Sequence, residues 1–144
     1  MEFTAQSIMR PNLVICDSKK NLREVARKMY DEKVGSILVK QEGEIKGIIV
    51  NKDILKAVMD GKDFTLTQAA EIMTSPLGYC NADDSLEKCM DLFNETKHTR
   101  LVVKEEDKVV GVLLRKFAER FLKMSKRYSL SKIASTPRFR TGRG

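Results

Sequence analysis

Shifted against itself by 64 residues, the chain aligns Ile8 with Ile72, Met9 with Met73, Cys16 with Cys80, Leu22 with Leu86, Val39 with Val103 and Gly47 with Gly111, without a gap. From Ile8 to Leu55 the shift gives 11 identities in 48 positions, and most other pairs keep their apolar or polar character. A two-copy repeat constrains the fold more than any other feature, because one supersecondary unit must serve both halves. In a chain of 144 residues each copy is small for a stable core of its own, so the copies are expected to complete one another.

Both copies follow one grammar. An apolar stretch, LVIC or LGYC, precedes polar residues suited to starting a helix: Asp17 and Ser18, then Asp83, Asp84 and Ser85. Leu22, Val25, Ala26 and Met29 fall at helical spacing, and Leu86, Cys89, Met90 and Phe93 repeat that stripe, which places Met29 and Met90 in the core. Two strand-like runs follow, SILVK and IKGIIV around QEGE, then RLVVK and VVGVLL around EEDK. DILKAVMD closes the first copy as a helix and KFAERFLKM the second, with residues 60–70 as the link. The expected fold is α+β, an α/β-type tandem repeat. Each copy is short strand, helix, two strands, helix, and the two pack as an intramolecular pseudo-two-fold pair. The boundaries expected are residues 1–62, 63–122 and a basic tail, 123–144.

Hydrophobic residues make up 42% and charged residues 33%, the balance of a globular domain. No run approaches the roughly 18 apolar residues of a membrane span, and MEFTAQSIMRP lacks the basic-then-apolar order of an export signal. The expected location is therefore cytoplasmic, with no membrane partner. Cys16, Cys80 and Cys89 form no CxxC pair and only His98 could help them bind a metal, so they read as buried free thiols and no metal site is expected. His98 has no nucleophile or acidic partner at a recognisable spacing, which favours a surface or turn histidine over a catalytic one.

SIMRP followed by LVICD, VGSILV, GIIVNKDIL, EIMTSP, HTRLVV and VVGVLL, in this order and at a fixed offset, resemble a pair of CBS domains, the modules named after cystathionine beta-synthase, joined as a Bateman module. The resemblance covers roughly residues 5–122. It implies a free-standing, non-catalytic regulatory module that binds AMP, ADP, ATP or S-adenosylmethionine in a cleft between the copies and signals to an effector protein. It also implies a homodimer joined through helices. No cofactor is required beyond that regulatory ligand, and no catalytic residue is assigned.

The family hallmark is Gly, two apolar residues, Thr or Ser, two variable residues and Asp. The hydroxyl helps hold phosphate or ribose, and the carboxylate accepts from the ribose hydroxyls. A strand-to-helix junction suits this, since free helix N–H groups face the phosphate. Gly47-Ile48-Ile49-Val50-Asn51-Lys52-Asp53 keeps the carboxylate and loses the hydroxyl, whereas Gly111-Val112-Leu113-Leu114-Arg115-Lys116-Phe117 loses both. On the resemblance, Val50, Asn51, Lys52 and Asp53 would meet Thr74, Ser75, Pro76, Tyr79, His98, Thr99 and Arg100 around the ligand. Lys52 and Arg100 would supply positive charge for an anion. A second reading stands beside this one. Asn51 as helix N-cap would put Asp53 in a first turn, where the helix dipole favours a carboxylate with no ligand at all. Arg100 likewise reads either as a phosphate contact or as an edge arginine whose stem covers core.

The formal charge is +7, and up to Leu122 acids and bases balance, so the excess belongs to the last segment. Lys126, Arg127, Lys132, Arg138, Phe139, Arg140 and Arg143 have the composition of a nucleic-acid-binding arm, with charges for phosphates and a ring to stack on bases. The alternative function is thus a nucleic-acid-associated protein in which the repeat is a dimerising scaffold. Docking on an acidic protein surface and a merely solubilising role compete for the same segment.

Overall fold

The computed structural model describes residues 3–134, with side chains as far as Lys126. The architecture is mixed α/β, with two three-stranded sheets. In the first, β1 (Ile15–Asp17) runs parallel to β2 (Ser36–Gln41), which is antiparallel to β3 (Glu44–Val50). The second repeats this with β4 (Tyr79–Asn81), β5 (Arg100–Glu105) and β6 (Lys108–Leu114). Helix α2 (Leu22–Glu32) and helix α5 (Leu86–Thr96) connect the parallel pairs; α3 (Asn51–Met59) and α6 (Arg115–Ala134) follow the hairpins.

Both hairpins turn on two residues of positive φ, Glu42–Gly43 and Glu106–Asp107, the geometry that matches strand twist. Each is bulged at the same place, after Val39 and after Val103. The stripes read from the sequence are the buried faces. Leu22, Val25 and Met29 are buried on α2, and Leu86, Cys89 and Phe93 on α5. Cys16, Cys80 and Cys89 are free and buried.

Helix starts need correction. Asp17 and Ser18 do not open α2; the Asp17 carboxylate accepts from the Lys19 N–H at 2.9 Å in a turn, and Asn21 caps the helix through the Glu24 N–H. Ser85 caps α5 through the Lys88 N–H. The N-cap of α3 is Val50 and not Asn51, because β3 continues through Val50 and leaves Asn51 as the first helical residue.

The largest difference from the sequence reading concerns which segment belongs to which sheet. The chain divides into two compact units, one formed by residues through Pro11 together with the chain from Gly78 on, the other by Asn12–Leu77. This contact-based division falls at Pro11/Asn12 and Leu77/Gly78, whereas the repeat in the sequence divides at 62/63. The short helix α1 (Ala5–Ile8) lies in the unit of β4–β6, and α4 (Ala69–Ile72) in the unit of β1–β3. Ala5 and Gln6 donate to the carbonyls of Asp84 and Ala82, just as Ala69 and Ala70 donate to Lys20 and Ser18, each bond a 64-residue image of the other. Arg10 bridges to Val112 and Thr74 to Ile48 in the same relation. A Cβ at Gly47 would collide with the Met73 side chain, and one at Gly111 with Met9. The conserved spacing of Met and Gly in the repeat is thus one packing device, used twice with segments exchanged. The boundary expected at residue 122 falls inside α6, which runs on to Ala134.

Candidate functional site

In the unit of Asn12–Leu77, the backbone at the β3–α3 junction puts Asp53 at the third position of α3. One carboxylate oxygen accepts from the Val50 N–H at 2.8 Å, and the Asn51 N–H donates to the Gly35 carbonyl at 3.1 Å. Val50 offers no side-chain acceptor in return, so the cap is one-sided. Asp53 therefore does take the helix-starting role, but its Oδ1 has no protein partner among the described residues. The half-buried side chain lines a groove of about 280 Å³ with Lys56, Ala57, Asp60, Lys62, Glu71 and Ile72. This lies just under the usual range of about 300–1,000 Å³ for small-molecule pockets. Four charged groove residues, Lys56, Asp60, Lys62 and Glu71, were missed by sequence reasoning. Their only local sign was the i,i+4 spacing of Lys56 and Asp60, which pair at 2.9 Å and hold the lysine's pKa above its ordinary value.

Thr74 is brought beside this junction. Its N–H donates to the Ile48 carbonyl at 2.8 Å and its carbonyl accepts from the Ile48 N–H at 3.1 Å, which extends the edge of β3. Thr74, Ser75 and Pro76 are exposed, as are Asn51 and Lys52, and the Ser75–Pro76 peptide is cis. This unit thus gathers Val50, Asn51, Lys52, Asp53 and the Thr74 segment.

Tyr79, His98, Thr99 and Arg100 belong to the other unit. The Lys104 ammonium lies 4.1 Å from the centre of the Tyr79 ring. His98 is half-buried against the backbone of Gly78, where a Cβ would collide with its ring, so its contact is structural packing. The Thr99 carbonyl accepts from the Arg115 N–H at 2.9 Å, and half-buried Arg100 opens β5 opposite Leu114.

The repeat image of the Asp53 junction has different chemistry. Phe117 stands where Asp53 does, with the guanidinium groups of Arg10 and Arg120 at 5.2 and 5.7 Å from its ring centre. An aromatic ring with cations against it offers no acceptor for a diol.

The helical faces differ as much. Ala26, Met29, Tyr30, Val34, Ile54 and Leu55 line an open apolar groove of about 610 Å³ between α2 and α3. Tyr30 is 84% exposed, Leu55 62% and Met59 83%. At the 64-residue images of Asn51, Tyr30 and Leu55 stand Arg115, Asn94 and Glu119. There the arginine donates to Asn94 at 2.6 Å and to Glu119 at 3.1 Å, and so bridges α5 and α6.

Of the residues read as a nucleic-acid arm, Lys126 is exposed on α6, and Arg127 and Lys132 lie on its backbone course. Arg138, Phe139, Arg140 and Arg143 lie outside the described residues. No helix among the described residues is long and apolar enough to cross a membrane. No cluster of three or more metal-ligating side chains occurs among them.

A model of the CBS domain family matches residues 5–60 and again 69–116. The chain is similar to the CBS domain-containing protein YhcV of Bacillus subtilis (strain 168), 26% identical over 111 residues that span 76% of this chain and 79% of the relative. Among solved structures, a conserved CBS domain protein of unknown function from Thermoplasma acidophilum aligns with a TM-score of 0.73 at 18% identity, covering 84% of this chain and 70% of that one. A hexameric CBS-CP12 protein from bloom-forming cyanobacteria aligns with a TM-score of 0.72 at 26% identity, covering 79% of this chain and 65% of that one. Proteins of this family are generally regulatory or sensor modules, and oligomers are common among them. With two matched stretches that together make up most of the sequence, laid on two copies of one strand–helix–hairpin–helix unit, the chain belongs to the CBS-domain family as a tandem pair.

Proposed function

We propose that the protein is a non-catalytic sensor that binds an adenosine-containing ligand, AMP, ADP, ATP or S-adenosylmethionine, at the Asp53 junction and passes its state to a partner protein. The observation that carries this reading is the divided carboxylate of Asp53. One oxygen is engaged by the Val50 N–H and the other is left open on a groove, as an acceptor for a ribose hydroxyl. Lys52 and the backbone N–H groups of Lys52 and Asp53 in the first turn of α3 stand at the same junction and suit a phosphate. The ligand acts by favouring one conformation over another, so its leverage is set by its differential affinity for the two.

The functional form is a homodimer built on the α2/α3 face of Asn12–Leu77. That face carries Tyr30, Leu55, Val58 and Met59, all largely exposed, around the apolar groove. A second copy of the same apolar patch is its self-complementary occupant in an isologous contact. The corresponding face of the other unit is polar and already bridged by Arg115.

Calorimetry and thermal melts with the four ligands test the sensor reading. At about 100 times its dissociation constant a ligand adds roughly 2.7 kcal/mol, a rise of roughly 5–10 °C in Tm for a chain of this size. Asp53→Asn keeps an acceptor for the Val50 N–H, so the unliganded Tm should hold while most of the ligand shift disappears. An undiminished shift in that variant would remove Asp53 from the site. The absence of heat and shift with all four compounds would end the adenosyl reading.

A further inference from the structure

Helix α6 leaves a continuous cationic stripe that neither the ligand groove nor the dimer face uses. Its 20 residues carry seven Lys and Arg and one acid, Glu119, which is held by Arg115. Lys116, Arg120 and Lys123 follow at helical i, i+4, i+7 spacing and are all exposed, on the side opposite the fully buried Ala118. Arg127 stands at the next place of the same spacing on the helix backbone. Arg10, beside the first turn of α6, adds a cation whose guanidinium rests on Phe117.

The rest of the helix decides what kind of anion fits. A membrane-bound amphipathic helix needs a free apolar face below its charges. Here Ala118 is buried, Phe121 meets Phe3 edge to face at 5.2 Å, and Phe117 is covered by two guanidinium groups. An acidic protein partner would seek an apolar or aromatic anchor at the centre of its contact, and along the described part of the stripe only Met124 offers exposed apolar surface. A nucleic-acid backbone needs only regularly spaced cations that displace its counterions.

From this we infer that Lys116, Arg120 and Lys123, with Arg10 at one end, form a docking surface for the phosphate backbone of a nucleic acid. The surface is built on the folded helix and is separate from the terminal arginines. It reads charge and not sequence, since phosphate contacts position a protein without specifying bases.

The test is titration of the full chain with a 20-nucleotide single strand and a 20-base-pair duplex between 50 and 200 mM salt. Vesicles containing 30% anionic lipid run in parallel. The triple variant K116Q/R120Q/K123Q should flatten the log–log salt slope by about 2 on single strands and about 3 on duplex, from roughly 0.7 and 0.9 per neutralised phosphate. It should weaken binding at 50 mM salt by at least tenfold. The three side chains are exposed, so an unchanged thermal melt establishes that the fold is intact; K116R/K123R should bind as the parent does. Any of three results overturns the inference: no binding of the parent to either nucleic acid at 50 mM salt, an unchanged slope in the triple variant beside a slope lost in R138Q/R140Q/R143Q, or tighter binding to the vesicles than to nucleic acid.

Discussion

The two copies have the same backbone and opposite chemistry at their strand-to-helix junctions. In one, a carboxylate caps α3 and keeps an open oxygen on a groove; in the other, a phenyl ring carries two arginines close to it. Their helical faces diverge in parallel, one an exposed apolar trough and the other a hydrogen-bonded bridge of Arg115, Asn94 and Glu119. What stays common is the scaffold: the hairpin bulges, the exchanged bridges and the Met-over-Gly contacts. The two copies share what holds the sheets and differ in the chemistry of their exposed junctions and helical faces. Recognition by this protein is therefore expected to be one-sided, with a small ligand and a second copy on one unit and a polyanion on the other.

The shared feature gives the largest expected effect. Gly111→Val should cost about 3 kcal/mol and Gly47→Val about 2, within the usual range for overpacking, as measured by denaturant unfolding. The order follows from the neighbours. At Gly47 the nearest atoms to an added Cβ all belong to the pliable Met73 side chain, whereas at Gly111 they include the Arg10 carbonyl, which is bridged to Val112. Equal costs would mean that the exchanged bridge at Arg10 is as yielding as a methionine.

Leu55→Glu imports into one face the residue that its repeat image already carries. The parent should sediment as a dimer, and the variant as a monomer with dimer affinity weakened at least 100-fold, about 2.7 kcal/mol. Because Leu55 is 62% exposed, monomer stability should change by less than about 0.5 kcal/mol. A dimer that survives the substitution would move the interface off the trough. The reciprocal face is probed by Arg115→Ala, which removes the donor to Asn94 and Glu119. Its side chain is 31% exposed, so the loss should be near 1 kcal/mol and no oligomer change should follow.

The smallest effect is a gain. Val50→Thr restores a hydroxyl at the N-cap of α3, where it can accept from the Asp53 N–H and complete the reciprocal cap. About 0.5–1 kcal/mol of added stability is expected from melts. If the ribose reading is right the same substitution tightens the adenosyl ligand as well, and a gain in stability without a gain in affinity would leave Asp53 a cap alone.

Much of this is legible in the sequence. The stripes on α2 and α5, both hairpins, the buried thiols and the tandem family follow from periodicity and the repeat itself. The family resemblance put Thr74 beside Asp53, but the repeat alone left the segment exchange illegible: a 64-residue offset that pairs Met9 with Met73 and Gly47 with Gly111 is satisfied equally whether each Met covers its own Gly or the other. The N-cap was misplaced because Asn51 is the better capping residue, yet cap position is set by where the strand stops, and Val50 is held in register opposite Ser36. Arg115, Asn94 and Glu119 were invisible because their meaning lies 21 residues apart in sequence and across two helices. Lys56, Asp60, Lys62 and Glu71 line the groove from a helix, a loop and the next short helix, which no local pattern announces.

The exchanged segments also set an order of events during synthesis. Asn12–Leu77 is one unbroken stretch, so its sheet and helices can close as soon as Leu77 has left the ribosome. Ala5, Ile8 and Met9 emerge ahead of that stretch but find their places only when β6 arrives, since Arg10 waits for Val112 roughly a hundred positions later. Long-range closures of this kind are slow, and apolar segments left waiting are exposed to wrong partners. A segment made before the first unit is thus used only with the second, and until then it is a sticky stretch that the cell must tolerate or shield.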